Sequence, residues 1–160
     1  MKVRIFLAVI FITTAFFSCK KYPDGPSLSF RSPTQRLIGK WELKEYRVDG
    51  VDSMSIFSNY HTIPGLDFKD PNRVDSAGFI IRGGIDTANY VTSIGLYELT
   101  NHKKNLVLHP STYVNDLNLF SPLISTEDLT FDILRLTHKE FWIEIDFHSR
   151  HYEMHYAGEQ

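Results

Sequence analysis

The sequence predicts an all-β domain whose short strands form an up-and-down barrel or a sandwich. No stretch keeps the apolar spacing of a helix over three turns, and runs of β-branched and aromatic residues alternate with clusters of Gly, Asn, Asp and Pro. The clearest period-two pattern lies in residues 141–148, where apolar residues at the odd positions alternate with Trp142, Glu144, Asp146 and His148. A chain of 160 residues fits one such domain.

The predicted strands follow one another mostly as sequential hairpins. The eight predicted strands cover residues 38–48, 53–60, 78–85, 90–99, 106–109, 129–136, 141–148 and 151–156. The apolar residues of the first strand change parity between Leu43 and Tyr46, which predicts a bulge near residues 44–45. Asp49-Gly50 predicts a type I′ hairpin turn, because both central residues of that turn need a positive φ.

Two long connections interrupt the strands. Residues 61–76 are polar and contain Pro64 and Pro71, which predicts a loop. Residues 110–128 carry scattered apolar side chains and are compatible with a short helix or a flap. Gly83-Gly84 inside a strand indicates a bend or bulge, since neither a P-loop nor a G-x-G-x-x-G motif accompanies it.

The N-terminus has the pattern of a secretory signal peptide over residues 1–18. Lys2 and Arg4 precede an uncharged, apolar run at residues 5–17, and the small residue Ser18 comes next. The run is too short for a membrane-spanning helix, which needs about 20 apolar residues. An ordinary signal peptide followed by an incidental free thiol is the alternative, but an unpaired thiol is a liability in an oxidising compartment.

The only cysteine of the chain, Cys19, lies at the expected cut. This arrangement resembles the lipobox of bacterial lipoproteins, and its phenylalanines at positions 16 and 17 resemble Bacteroidetes variants. The resemblance implies a diacylglyceryl group on Cys19 and an acylated (palmitate-type) N-terminus, followed by a flexible tether over residues 19–34 and a domain over residues 35–160. Lys20 stands where an inner-membrane retention Asp would be, so we expect an outer-membrane lipoprotein. Asp24 is the only acidic residue nearby, which favours the periplasmic side.

Residues 36–43, with Gly39-Lys40-Trp41 matching G-x-W, and the turn Asp49-Gly50 resemble the start of bacterial lipocalin-like domains. Residues 131–137 and 141–143 are similar to the strand–turn–strand segment of that family. The resemblance implies an eight-stranded barrel closed at one end, with Trp41 as the plug of its base. The T-D-Y motif of classical lipocalins is missing, and the few residues after the last predicted strand leave no room for their C-terminal helix.

A lipocalin-like barrel implies non-catalytic binding of a small apolar ligand in an aromatic interior. The candidate ligand-binding residues are Trp41, Tyr90, Tyr97, Phe131, Phe141 and Tyr152. The alternative is an interior that side chains fill completely, because an eight-stranded barrel is only just wide enough for them. In that case the chain is an accessory lipoprotein that docks on another envelope protein through its outer face or through residues 110–128.

Three histidines near the C-terminus raise the question of a metal site. A turn at Ser149-Arg150 would place three imidazoles and three carboxylates on one sheet face, by pairing Glu144 with His155, Asp146 with Glu153, and His148 with His151. These groups are zinc or copper ligands. The opposite face is apolar, however, so the polar face is read as the solvated outside, and we predict neither metal nor cofactor.

Charge and motifs argue against two further classes of function. The chain has 17 Lys and Arg against 19 Asp and Glu, which provides no electrostatic footprint for nucleic acid. Acylation of Cys19 would remove the only thiol, and no G-x-S-x-G nucleophile elbow is present. We therefore expect no enzyme activity.

Overall fold

The computed structural model describes residues 21–25, 31–59, 62–70, 78–84, 90–114, 122–123, 125 and 127–159. Their strands are β1 (Gly39–Val48), β2 (Val51–Asp52), β3 (Thr62–Phe68), β4 (Gly78–Gly84), β5 (Tyr90–Thr100), β6 (Asn105–Val114), β7 (Leu129–Leu136), β8 (Glu140–Phe147) and β9 (Arg150–Gly158). Their helices are α1 (Pro33–Leu37) and two 3₁₀ turns, Met54–Phe57 and Asn101–Lys103.

Eight of these strands close into an antiparallel barrel. Each strand from β3 to β8 pairs with the next along the chain, and β1 pairs with both β3 and β9. β2 only extends the tip of β1 as a hairpin. Alternate side chains point inward and form a continuous apolar core inside the barrel. The predicted eight-stranded up-and-down barrel is confirmed.

The first hairpin has the predicted turn and bulge. Asp49 and Gly50 have φ values of 53° and 79°, and Val48 pairs with Val51 across them. The β1–β9 ladder shifts register between Leu43 and Glu45, which places the bulge where the change of parity predicted it. The bulge lets Leu43 and Tyr46 both face the core.

The predicted second strand, residues 53–60, is wrong. The chain forms only the two-residue β2 and then the 3₁₀ turn Met54–Phe57, because the Asp52 carboxylate accepts from the Met54 N–H at 3.0 Å and diverts the backbone from the ladder. The barrel strand is β3, within the predicted loop 61–76. Pro64 is tolerated there because it lies in a register irregularity between Thr62 and Gly65.

The predicted turn between β8 and β9 is also wrong, by one residue. His148 and Ser149 form the turn, with φ values of 48° and 63°. Asp146 therefore pairs with His151, Glu144 with Glu153, and Trp142 with His155. Moving the turn by one residue shifts the pairing partner of each residue by two positions. Because side chains alternate with a period of two, the polar residues of both strands stay on the outer face.

β6 extends beyond the predicted residues 106–109, through Val114. Its extension takes up the start of the connection predicted over residues 110–128. Pro110 pairs with Gly95 next to a register irregularity of β5, where a missing ladder N–H is tolerated. The remaining connection is described only at residues 122–123, 125 and 127–128.

The N-terminal segment closes one end of the barrel, which we call the base; the other end, where β1 finishes, is the upper end. Ser32 and Gln35 form a capping box at the start of α1. The indole Nε1 of Trp41 donates to the Leu37 carbonyl at 2.7 Å, which fixes α1 across the base. Before α1, Tyr22 is buried in the same core, so part of the predicted tether, residues 21–25, packs on the barrel. Of the described helices, none is long and apolar enough to cross a membrane.

Candidate functional site

Large aromatic rings fill the base. Phe141 lies at their centre, with ring centroids 5.5 Å from Trp41, 6.0 Å from Phe68 and 5.8 Å from Tyr156. Phe68 also contacts Tyr97 edge-on at 5.0 Å. Rings at these separations and tilts stabilise one another beyond the area they bury. The base is therefore close-packed, and Trp41 acts as its plug.

Polar atoms of these base aromatics have partners. The Tyr97 hydroxyl donates to the Lys69 carbonyl at 3.0 Å, and the Tyr22 hydroxyl donates to the Lys103 carbonyl at 2.8 Å. Burial raises the pKa of both Tyr22 and Tyr97 to about 12, so both phenols stay protonated donors at neutral pH. These hydrogen bonds fasten the outer loops to the base.

A second, smaller aromatic group covers part of the upper end. The 3₁₀ turn Met54–Phe57 folds over β1 and places the Phe57 ring edge-on to Tyr46, with centroids 5.3 Å apart. Tyr152 of β9 lies 6.1 Å from Tyr46 on its other side. This group occupies the side of the barrel formed by β1 and β9.

Across the barrel, the inner wall of β4 and β5 combines the large side chains of Phe79, Ile81 and Tyr97 with three small residues. Gly83, Ser93 and Gly95 are all buried there. A Cβ at Gly95 would lie 2.8 Å from the Phe79 ring and 2.1 Å from the His109 carbonyl oxygen, so only glycine fits. Ser93 is fully buried, and its Oγ finds no hydrogen-bond partner among the residues described. The upper part of this wall thus presents a polar atom to the interior.

The structure separates the predicted ligand-binding residues into two places. Trp41, Tyr97 and Phe141 belong to the base cluster, and Tyr152 belongs to the upper group. Phe131 of β7 is fully buried opposite Leu106. The side chain of Tyr90 and all of Cys19 lie outside the described residues. Ligand binding by these residues stays a prediction.

Sequence reasoning missed Ser93, Tyr46 and Phe57. Inward parity, counted back along β5 from Tyr97 through Gly95, would have found Ser93. Nothing local marks Phe57, because its burial depends on the 3₁₀ turn reaching Tyr46.

The histidine-rich outer face of β8 and β9 consists of ion pairs around each ring. His151 Nδ1 lies 2.9 Å from Asp146 and its Nε2 lies 3.4 Å from Glu144, on the other side of the imidazole. His155 similarly has Glu45 at Nδ1 and Glu153 at Nε2. Carboxylates on opposite sides of one ring do not converge on a common point, and no group of described His, Cys, Asp and Glu could hold a metal ion.

Two effects act on the titration of this face. The hydrogen bond that the His151 imidazole donates to the Asp146 carboxylate raises the pKa of His151; desolvation by burial opposes this shift, and the charges of Glu144 and Glu153 add to it. Desolvation by burial raises the pKa of Glu144. Since both groups remain largely solvent-accessible, the face is a network of modest surface interactions.

A groove of about 470 Å³ crosses the outside of the barrel between β1, β3 and β4. Gly65 is one of the residues that line this groove. A Cβ at this position would come within 2.9 Å of the Trp41 carbonyl oxygen. Exposed apolar side chains continue from the groove onto β5: Ile63, Ile94 and Leu96 are 37–49% exposed, and Ile94 pairs with Ile80. We call Ile63, Ile80, Ile94 and Leu96 the apolar flank.

Comparison with known proteins identifies the architecture. The chain is similar to a lipocalin-like protein from Bacteroides uniformis, with a TM-score of 0.53 and 16% sequence identity, over 78% of this chain and 99% of the other. The fold is lipocalin-like. No protein-family model and no curated protein matches the chain. At this identity the likeness extends to the barrel alone.

Proposed function

We propose that this lipocalin-like barrel binds a small, largely apolar molecule in its upper half, without catalysing a reaction. The observation that carries the proposal is the fully buried hydroxyl of Ser93, which has no hydrogen-bond partner among the described residues and lies between the buried residues Gly83 and Gly95. Apolar pockets that hold a few placed polar groups suit such ligands. Tyr46 and Tyr152 supply the aromatic surface across the barrel.

The two halves of the interior differ in what they can accept. Rings in contact occupy the base, so a ligand there would have to displace close-packed side chains. A buried hydroxyl without a partner costs about 1–3 kcal/mol, and at Ser93, where the described residues supply none, a polar atom of a ligand would recover that free energy. We therefore place the ligand beside Ser93, between β5 and the Tyr46–Tyr152 side.

Native mass spectrometry of the purified protein, compared with the denatured sample, tests this function. We expect an additional mass that denaturation releases, and we expect Ser93→Ala to retain less of it. Ser111→Ala is the matched control, because the Ser111 hydroxyl lies on the outer face and donates to the Ile94 carbonyl. An unliganded protein that also fails to take up a panel of fatty acids and apolar dyes would contradict the proposal.

We further propose that the protein is a lipoprotein of the outer membrane, acylated at Cys19 and facing the periplasm. The proposal is supported by the basic start, the uncharged run at residues 5–17 and the position of Cys19. We expect Cys19→Ser to move the protein from the membrane fraction to the soluble fraction. Metabolic labelling with an alkyne analogue of palmitate should mark the parent and not the variant. Recovery of Cys19→Ser in membranes would reject the anchor.

The apolar flank supports a second candidate function, docking on another envelope protein. Exposed apolar residues on adjacent strands beside a groove are typical of a protein contact. A photoreactive residue at Ile94 should give one discrete cross-linked product in cells. The same residue at Lys44, exposed on β1 away from the flank, should not. Equal products from both positions would argue against docking.

A further inference from the structure

We propose that the base of the barrel rests on an anionic lipid surface, so that the upper end points away from the membrane. The inference rests on the proposed acylation of Cys19, and it adds an orientation and a lipid chemistry. It is carried by two features of the base: the contacts of residues 21–25 and a set of exposed lysines. We call Lys21, Lys103 and Lys104 the basal lysines.

The first step is the path of the N-terminal chain. Tyr22 is buried against the base, its hydroxyl donates to the Lys103 carbonyl, and Asp24 is bonded through its N–H to the Leu134 carbonyl at 2.9 Å. Arg135 in turn donates to the Asp24 carbonyl. Cys19 precedes Tyr22 by three residues, which span at most about 11 Å. An acyl anchor at Cys19 would therefore hold the base close to the bilayer.

The second step is the charge that this closeness exposes to lipid. The basal lysines are exposed, and the Arg36 guanidinium lies 6.0 Å from the Tyr22 ring centroid among them. Partial burial, and then Lys103, Arg36 and Lys104, lower the pKa of Lys21, as expected where cations crowd one another. The nearby Glu140 carboxylate forms its ion pair with Arg135, at 2.8 Å. Lipid phosphates would relieve this crowding.

The third step is the difference between the two ends. Two of the three base connections, 101–104 and 137–139, contain three lysines and two histidines and no carboxylate, and the third, 69–77, contains two basic and two acidic residues. At the upper end, the hairpin tip presents Asp49 and Asp52, and the start of β9 presents one cation, Arg150; all three are exposed. Each lysine near an anionic membrane surface contributes about a fivefold attraction, whereas carboxylates are repelled. Charge and chain path therefore favour the same orientation.

Depth-dependent fluorescence quenching tests the orientation with the full acylated protein in vesicles. Acylation consumes Cys19, so a new cysteine is the single labelling site. His138→Cys places a fluorophore at the base, and Val51→Cys, 66% exposed, places one at the upper end. In vesicles of phosphatidylcholine and phosphatidylglycerol that contain headgroup-nitroxide lipids, we expect at least threefold stronger quenching for the base label.

The outcomes separate the anchor from the orientation. Protein that does not float with the vesicles rejects the acyl anchor and, with it, this inference. Protein that floats but shows equal quenching at both labels rejects the orientation alone, and leaves the anchor standing. Stronger quenching of the upper-end label would also reject it, because the barrel would then be inverted.

A charge variant tests the lipid chemistry. Lys103→Gln with Lys104→Gln should lower the attraction to the anionic surface about 25-fold and bring the two quenching values together. Lys44→Gln with Arg150→Gln removes the same charge away from the base and should leave the difference intact. The parent should show a smaller difference in pure phosphatidylcholine, where only the anchor holds the base near the bilayer. A difference of unchanged size in the base variant and in neutral lipid would overturn the role of anionic lipid.

Discussion

The base and the upper end of this barrel differ in how their aromatic rings pack and in whether their buried polar atoms are hydrogen-bonded. At the base, Phe141 contacts Trp41, Phe68 and Tyr156, and the polar atoms of Trp41 and Tyr97 donate to backbone carbonyls. Among the described residues, the upper part has fewer ring contacts, and the Ser93 hydroxyl of its inner wall has no hydrogen-bond partner.

The difference indicates that the base contributes mainly to stability and that the upper end is suited to binding a ligand. Close packing and paired polar groups make the base the source of stability. At the upper end, a buried hydroxyl that lacks a partner among the described residues costs stability, and such a cost is tolerated where a ligand recovers it. Variants at the two ends should therefore have opposite effects on stability and binding.

The largest effect is expected from Phe141→Ala. Removing the central ring leaves a cavity among its neighbours, and truncations of this kind cost about 3–5 kcal/mol of unfolding free energy. Phe57→Ala at the upper end should cost less, because the Phe57 ring packs at the edge of the core against Tyr46, whereas Phe141 is surrounded by three rings. Urea denaturation measures both. Equal losses would show that the ends contribute equally to stability.

The next effect concerns the hydrogen bond that ties α1 to the plug. Trp41→Phe keeps an aromatic ring but removes the Nε1 donor, so the buried Leu37 carbonyl loses its partner. We expect a loss of about 1–3 kcal/mol in unfolding free energy, part of it from the smaller ring. Glu42→Gln, on the exposed face of the same strand, is the control. A Trp41→Phe protein as stable as the parent would mean that α1 contributes little to closure.

Ser93→Ala, in contrast to the two preceding variants, should raise the stability of the ligand-free protein. Removing a buried hydroxyl without a partner relieves its desolvation, so the ligand-free protein should gain about 1 kcal/mol of unfolding free energy. Ser111→Ala on the outer face should change it by less than about 0.5 kcal/mol. Thermal unfolding of delipidated samples measures both. A destabilised Ser93→Ala protein would show that the hydroxyl is satisfied in the folded state and would remove the basis for a polar ligand contact.

The smallest effect is a dependence on pH at the outer face. The pKa of His151 is raised by Asp146 in the folded state, so protonated His151 stabilises the fold below its unfolded pKa of about 6.5. This contribution is lost as pH rises through the raised folded pKa. For an exposed pair we expect about 0.5 kcal/mol or less.

Melting temperatures (Tm) between pH 5.5 and 8.5 measure this contribution. His151→Gln should flatten the decline of Tm toward alkaline pH. His138→Gln, exposed in the β7–β8 turn, should follow the parent. A decline that His151→Gln leaves unchanged would assign it to other groups.

Local pattern alone was enough to predict much of the fold. Strict alternation predicts β8, because a strand that buries one face must repeat every two residues. Asp49-Gly50 and the change of parity before Tyr46 predict the first turn and its bulge, since both depend on the conformations that single residues prefer. The closed barrel and the role of Trp41 as its plug came instead from the resemblance of Gly39-Lys40-Trp41 to the family's G-x-W signature.

Only the tertiary structure decided the rest. Residues 53–60 have strand-like composition, yet β3 forms the barrel wall, because a strand is selected by the partners on both sides, here β1 and β4. The packing of Tyr22 joins residues 81 positions apart in the chain, which no local pattern encodes. Ser93 is an ordinary serine in the sequence. It becomes a candidate binding group because closure of the barrel removes its hydroxyl from water.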